Sequence, residues 1–186
     1  MLTTTAKPAG EAAQIAFVTA LAVFDLAAAY VPAALLSLKW PNDLLIDGAK
    51  ASGILIESGP APGGLWLAVG VGVNLVSHPT GTERPTTDFS AHLRGDVAGP
   101  PSAEQALTRL AEAFDRWRAP WDQYGFEPIR NAWTERAHGL GRPAVARLSC
   151  ETVEGVAESL DGDGALRLRL ADGTVRRITA GDVFAS

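Results

Sequence analysis

The chain has 186 residues, of which 47% are apolar and 20% charged, and a net charge of −5. That length supports one medium domain or a domain with a small appendage, and the acidic balance argues against a nucleic-acid binder, which needs surplus Lys and Arg to neutralise phosphates. A lone cysteine, Cys150, excludes an intrachain disulfide, and three scattered histidines (His78, His92, His138) have no metal-ligand spacing, so a reducing, cytoplasmic setting is expected.

Leu2-Thr3-Thr4-Thr5 is β-branched enough to be the tail of a strand. One helix is predicted from about Glu11 to Tyr30, stopping at Pro32. The apolar run from Ala12 to Leu36 has the composition of a signal peptide or membrane span. However, Pro8, Gly10 and Glu11 stand between Lys7 and the run, and Asp25 within a bilayer would cost about 3 kcal/mol. Ile15, Val18, Ala22 and Leu26 trace one helical face, widened by Leu21, so a buried core helix is expected and no membrane partner.

Leu35 to Trp40 reads as a short strand ending at Pro41. Leu44 to Ile46 and Ser52 to Glu57 flank Asp47-Gly48, a tight-hairpin signal because both residue types tolerate positive φ. Trp66 to Leu75 is a further strand. These strands form a meander with Asn42, Lys50 and Asn74 at its turns and ends. His78 to Pro101 reads as a loop, mobile or ordered by ligand, with Phe89 and Leu93 as anchors.

Ser102 and Gln105 have capping-box spacing ahead of a helix with the stripe Leu107, Leu110, Phe114 and Trp117, bent or ended by Pro120. A second helix starts near Pro128. Gly139-Leu140-Gly141 marks a boundary between residues 1–139 and 140–186. Beyond it, Ala144 to Leu148, Thr152 to Ser159, Ala165 to Leu170 and Val175 to Ile178 form the short strands of a small barrel.

On residue type alone, Lys50 is a solvated hairpin lysine and Asn42-Asp43 an ordinary turn. The combination points further. Lys39-Trp40-Pro41-Asn42-Asp43, then Gly48-Ala49-Lys50, then Gly53-Ile54-Leu55-Ile56-Glu57 closely resembles the signature of biotin–protein ligases in order and spacing. LAVGVGVNL, residues 67–75, is similar to that family's glycine-rich strand ending in asparagine. The segment from Ser102 onward is similar to its later helices and C-terminal barrel.

The resemblance implies an α+β fold. A mixed, mostly antiparallel sheet backed by helices would form a class II synthetase-like catalytic domain, followed by an SH3-like barrel. It implies two steps, formation of biotinyl-AMP from biotin and ATP with Mg2+, then transfer to a lysine of a biotin carboxyl carrier protein, with a homodimer open. Lys50 matches the catalytic lysine, a cation needed where carboxylate and phosphate repel. Gly53, Gly70 and Gly72 match substrate-contacting positions; for Gly70 and Gly72 the alternative is close strand packing. Asn74 matches a residue that reads the adenine edge, or else caps the strand. Asn42 and Asp43 organise the turn and the metal or phosphate side, and Lys39 supplies charge there or is a structural ion-pair partner. Trp40 is expected in the core. Two other readings are a non-catalytic relative that binds biotin, adenylate or carrier, and a lipoate or octanoate ligase; KWPND favours biotin.

Family members carry an upstream GRGRxGR-like loop, and some carry a DNA-binding helix-turn-helix; neither occurs in this sequence. The resulting expectations are an unpaired sheet edge, exposed apolar surface, no repressor role, and ligase activity well below that of members with the loop.

Overall fold

The protein is described by a computed structural model over residues 1–185. Its first sheet contains β1 (Leu2–Thr5), β2 (Leu36–Lys39), β3 (Asp43–Ile46), β4 (Ala49–Ala61) and β5 (Gly64–Val73). The strand order is β1-β5-β4-β3-β2, with every neighbour antiparallel. Parallel pairing is limited to isolated bridges, Leu38 to Ala137 and Lys50 to Thr86. Asp47 and Gly48 take φ of 49° and 77°, which closes the β3–β4 hairpin as its sequence predicts. At the start of β5 a Cβ on Gly64 would fall 2.0 Å from the Thr5 carbonyl oxygen, so only glycine lets the edge strand lie this close.

The predicted single helix is two, α1 (Ala9–Ala12) and α2 (Ile15–Ala28). Between them the chain tightens into i→i−3 bonds such as Gln14 N to Glu11 O, and the buried Gln14 side chain accepts from Trp121 Nε1 at 3.1 Å. Nor does α2 bury only one face. Phe17 through Val23 are all buried, because α2 lies between the sheet on one side and α3 (Ala103–Tyr124) and α4 (Glu127–Thr134) on the other. The stretch long and apolar enough to cross a membrane is thus the central core helix.

In α3 the Ser102 and Gln105 side chains satisfy each other's backbone N–H groups, a complete capping box, and the helix continues through Pro120 to Tyr124. Its buried stripe differs from the predicted one. Ala106, Leu110, Ala113, Phe114 and Trp121 face inward, whereas Leu107 is 60% exposed and Trp117 half-buried, its Nε1 bonded to Asp25. Ala106 and Ala113 take the inward positions beside Leu110 and Phe114, and Leu107, next along the helix from Ala106, is turned to solvent.

The second sheet contains β6 (Pro143–Arg147), β7 (Thr152–Leu160), β8 (Leu166–Arg169), β9 (Val175–Ile178) and β10 (Asp182–Ala185), in the order β10-β6-β7-β8-β9. All pairs are antiparallel, and the end strands β9 and β10 are not hydrogen-bonded to one another among the described residues. Strand β10 is additional to the elements expected from the sequence. This unit packs on the larger one through Trp40, which is buried as expected and donates from Nε1 to Gly164 O at 3.0 Å. Phe17 meets Phe126 and Trp133 edge-on in the same core.

These burials set a direct comparison. Leu110→Ala should cost about 2–5 kcal/mol in chemical denaturation, whereas Leu107→Ala should fall within about 0.5 kcal/mol of the parent. Equal losses at both positions would contradict the observed helix face.

Candidate active site

Strand register alone brings four of the predicted residues into one line. Lys39 pairs with Asp43, Asp43 with Gly53, and Gly53 with Gly72, a row running across β2, β3, β4 and β5. Residues paired directly across antiparallel strands share a face, so all four look to the same side of the sheet. The next row on that face pairs Leu55 with Gly70, and the following one joins Glu57, Ala68 and Leu2. The opposite face is the apolar one, with Leu44, Ile54, Leu67 and Val69 turned to the helices.

Lys50 joins this face through an irregularity. Three residues apart on a regular strand, Lys50 and Gly53 would point to opposite sides. The pairing shifts between Leu44 and Leu45, so that Leu45 opposes Lys50 while Leu44 opposes Ser52. One extra residue, Ala51, is absorbed as a bulge, and Lys50 comes round to the Asp43 side. Its amine lies over Gly53, where a Cβ would sit 3.1 Å from Nζ and 3.2 Å from Cε.

Asp43 is the centre of the charge arrangement. Its side chain is only 8% exposed, with Oδ1 2.5 Å from Lys50 Nζ and Oδ2 3.0 Å from Lys39 Nζ. The Lys39 contact is a directed hydrogen bond; the Lys50 contact is an ion pair whose angle lies outside hydrogen-bond geometry, leaving Oδ1 without a hydrogen-bond donor. Lys39 also reaches Asp182 at 3.2 Å. Lys39 is therefore an ion-pair partner, and also part of the charged row.

Asn42 and Asn74 spend their side-chain amides on the fold. Asn42 Nδ2 donates to Ile54 O at 2.6 Å, closing the turn onto β4. Asn74 Nδ2 donates to Thr87 O at 2.8 Å, tying the following loop to the end of β5. Gly70 and Gly72 behave differently: a Cβ at either would meet its nearest atom at an ordinary 3.5 or 3.9 Å. Strand packing does not require glycine there. Both glycines are exposed, and between them they leave a bare strip of backbone beside Leu55, which is 65% exposed.

The loop after β5 is fastened beside Lys50. Lys50 N donates to Pro85 O, Thr87 N donates to Lys50 O, Phe89 N donates to Asn74 O, and Phe89 is fully buried as its anchor. Arg84 reaches Asp182 Oδ2 at 2.8 Å and lies 3.9 Å over the Phe184 ring. Between this loop, the charged row and β10 opens a cleft of about 720 Å³ whose walls include Lys39, Lys50, Arg84, His138 and Asp182. His138 is pushed below its ordinary value, first by burial and then by the charges of Arg142 and Lys39, which leaves it neutral at pH 7. On the other side of the Trp40–Asn42 turn, a second cleft of about 540 Å³ is walled mainly by apolar groups, including Phe17, Trp40, Ile54 and Leu55.

A charged row bordered by bare glycine backbone thus lies on a sheet backed by helices and followed by a small β unit. Residues 4–135 match the biotin/lipoate A/B protein ligase family, and residues 139–185 match the biotin protein ligase C terminal domain. A biotin–[acetyl-CoA-carboxylase] ligase of Paracoccus denitrificans is 46% identical over 176 residues, 93% of this chain and 73% of the relative. A bifunctional ligase/repressor of Bacillus subtilis is 27% identical over 147 residues, which are 78% of this chain and 45% of that protein. The fold is that of the Aquifex aeolicus biotin protein ligase: the apo structure superposes with a TM-score of 0.79 at 18% identity, covering 100% of this chain and 81% of that one. The same enzyme in complex with biotin and ATP gives 0.74 at 19% identity, covering 93% and 72%. The chain belongs to the biotin protein ligase family.

Sequence reasoning misses three features of this region. Leu55 reads only as part of a strand, although its place between glycines on the exposed side of β4 follows from the register. Arg84 lies in a segment that reads as a loop, and Asp182 beyond the last strand expected from the sequence. Only the fold brings them to Lys39.

The loop carries its own acid-sensitive fastening. Burial works to raise the Asp88 carboxyl, but hydrogen bonds from Ser90 Oγ and the His78 ring, and from Ala91 N, together hold it below the ordinary carboxylate range. A carboxyl depressed in the folded state stabilises fully above its unfolded value, and that contribution is lost as pH falls through the lowered one. Protection factors against amide exchange in residues 78–92, taken relative to the intrinsic rate at each pH, should thus be high at neutral pH and fall in acid, and Asp88→Asn should remove most of that fall. An unchanged acid profile in the variant would count against this fastening.

Proposed function

We propose that the chain activates biotin with ATP as biotinyl-AMP and passes the biotinyl group to a lysine of a biotin carboxyl carrier protein. The observation that carries the reading is the single row of Lys39, Asp43, Gly53 and Gly72, with the Lys50 amine laid over Gly53.

In the first step a biotin carboxylate oxygen forms a bond to the α-phosphorus of ATP. The bond to the bridging oxygen of the β-phosphate breaks, and pyrophosphate leaves with the electron pair. Two anions must approach, so the step needs a fixed cation at their meeting point. Lys50 meets this need, because Asp43 fixes its direction and its side chain keeps 45% of its surface exposed toward the cleft. The strip at Gly70 and Gly72, with Leu55 alongside, lets an apolar ring lie on backbone with no side chain in its way. In the second step the carrier's lysine amine attacks the activated carbonyl, loses a proton, and AMP departs.

The residues present do not make a protein cage for Mg2+. No group of three or more acidic, His or Cys side chains comes together among the described residues, and both Asp43 oxygens are taken by ammonium groups. The ion would therefore travel on the triphosphate of ATP, its usual manner of binding in nucleotide sites. A cytoplasmic setting suits the free, exposed Cys150. β1, whose neighbour in the sheet is β5, offers its other edge to a second copy of the chain.

The test is formation of biotinyl-AMP from labelled ATP, followed by labelling of a biotin carboxyl carrier domain. Lys50→Ala should lower adenylate formation by about a hundredfold or more with the melting temperature unchanged. Near-parental turnover would remove Lys50 from the chemistry. Preferential use of lipoate over biotin would move the chain to the lipoate branch.

Gly70→Ala gives a second check. The fold has room for the methyl group, so stability should hold within about 0.5 kcal/mol, while biotin affinity measured by calorimetry should fall at least about tenfold. Loss of stability without loss of affinity would assign Gly70 to packing.

A further inference from the structure

Asp182 begins β10 at the far end of the sequence from the charged row, yet its carboxylate stands at the end of a continuous chain of charges leading to Lys50. Asp182 Oδ1 lies 3.2 Å from Lys39 Nζ, Lys39 Nζ 3.0 Å from Asp43 Oδ2, and Asp43 Oδ1 2.5 Å from Lys50 Nζ. We propose that Asp182 is a positioning residue for Lys50, acting through Lys39 and Asp43. Its importance for catalysis rests on the reaction proposed above; the relay itself is a property of the protein without substrate.

Two lysines compete for one buried carboxylate, that of Asp43. With Asp182 present, Lys39 divides its three N–H donors between two carboxylates, and Asp43 Oδ1 is left to Lys50. Without the Asp182 charge, Lys39 has only Asp43 to neutralise it. The 12%-exposed Lys39 then draws on both oxygens and Lys50, far more exposed, loses its hold to water.

The other Asp182 oxygen is held by Arg84, 2.8 Å away, whose guanidinium stacks on Phe184 of the same strand. That second contact fixes where the carboxylate sits. Asp182 is itself 51% exposed, so its pairs add little to overall stability. What they contribute is the direction in which the Lys50 amine points. The second sheet thus serves the reaction without contributing a reacting group: it supplies the charge that keeps Lys39 from monopolising Asp43.

The chain has three lysines, Lys7, Lys39 and Lys50, which allows a direct test. Lys7 lies 4.8 Å over the Trp121 ring, outside the relay, and serves as the internal control. The 186-residue chain and its Asp182→Asn and Asp182→Glu variants are treated at one fixed pH with limiting acetic anhydride, without biotin or nucleotide. Acetylation at each lysine is read by peptide mass spectrometry. Asp182→Asn should raise labelling at Lys39 and at Lys50 by about threefold each, leave Lys7 and the melting temperature unchanged, and be reversed in Asp182→Glu.

A rise at Lys39 alone would overturn the proposal, since Asp182 would then be only a local partner. So would an equal rise at all three lysines, the mark of general loosening, or no rise at Lys50, or a Glu variant that behaves like the Asn one. Because the readout needs no turnover, a chain that failed to activate biotin would sink the functional reading and leave the relay result standing.

Discussion

A carboxylate almost fully withdrawn from water needs cations or hydrogen-bond donors in place of that water, and Asp43 has two ammonium groups against it. This requirement organises the site. Removing both lysines would leave the buried charge without a partner, an arrangement that in proteins generally costs about 3–5 kcal/mol, whereas Lys39 alone, nearly buried and hydrogen-bonded to Oδ2, keeps it paired. Asp43 therefore fixes where both lysines go. Lys39 reaches it from the adjacent strand as the directly paired residue, and Lys50 from beyond the hairpin turn. The result is a half-exposed amine held in one direction, a state an isolated surface lysine with four rotatable bonds does not hold.

The bulge at Leu44/Leu45 turns that electrostatic demand into a geometric one. Side-chain direction along a strand alternates, so the spacing from Lys50 to Gly53 would otherwise separate them by the thickness of the sheet. One extra residue reverses the parity. Gly53 matters for a reason the sequence does not display: the lysine stem lies across it, and a Cβ there, 3.1 Å from Nζ and 3.2 Å from Cε, would shift the amine by a few tenths of an ångström. Gly70 and Gly72 are glycine for the opposite reason, since nothing of the protein fills the space above them. The three residues share a composition and a face, and they differ in what occupies the space a methyl group would take.

Much of this is legible in the sequence. Asp47-Gly48 specifies its hairpin and Ser102 with Gln105 their capping box, because each depends on neighbours in sequence; Lys39, Asp43, Lys50 and Gly53 are singled out by the family resemblance, and the row they form depends on strand register. What is not legible depends on neighbours in space. The apolar stripe of α3 is misplaced by pattern alone because alanines count as weakly apolar, yet Ala106 and Ala113 take inward positions in place of Leu107. The helix α2 reads as one-faced because its sequence cannot show that α3, α4 and the sheet surround it. Strand β10 is only four residues long, too short for its pattern to stand out in sequence, and with it goes the carboxylate of Asp182.

The open face of the sheet carries a gradient that suits the proposed ligand. Moving along β4 from Gly53 to Leu55 to Glu57, each row advances by two residues, about 7 Å. The first row holds the lysine–aspartate charges; the second is exposed leucine beside bare glycine backbone; the third carries the exposed Glu57 together with Ala68 and Leu2, the latter 77% exposed. Exposed leucines carry a solvation cost that a soluble surface ordinarily avoids when they gather in one patch. Here the patch adjoins a directed cation at the distance separating an apolar ring from a carboxylate on a short alkyl tail. Under the proposed function, a ligand with one apolar end and one acidic end would gain from both rows by lying along the strands with its acid toward Lys50. On that reading, the register of the antiparallel strands would set the direction of the substrate as well as its place.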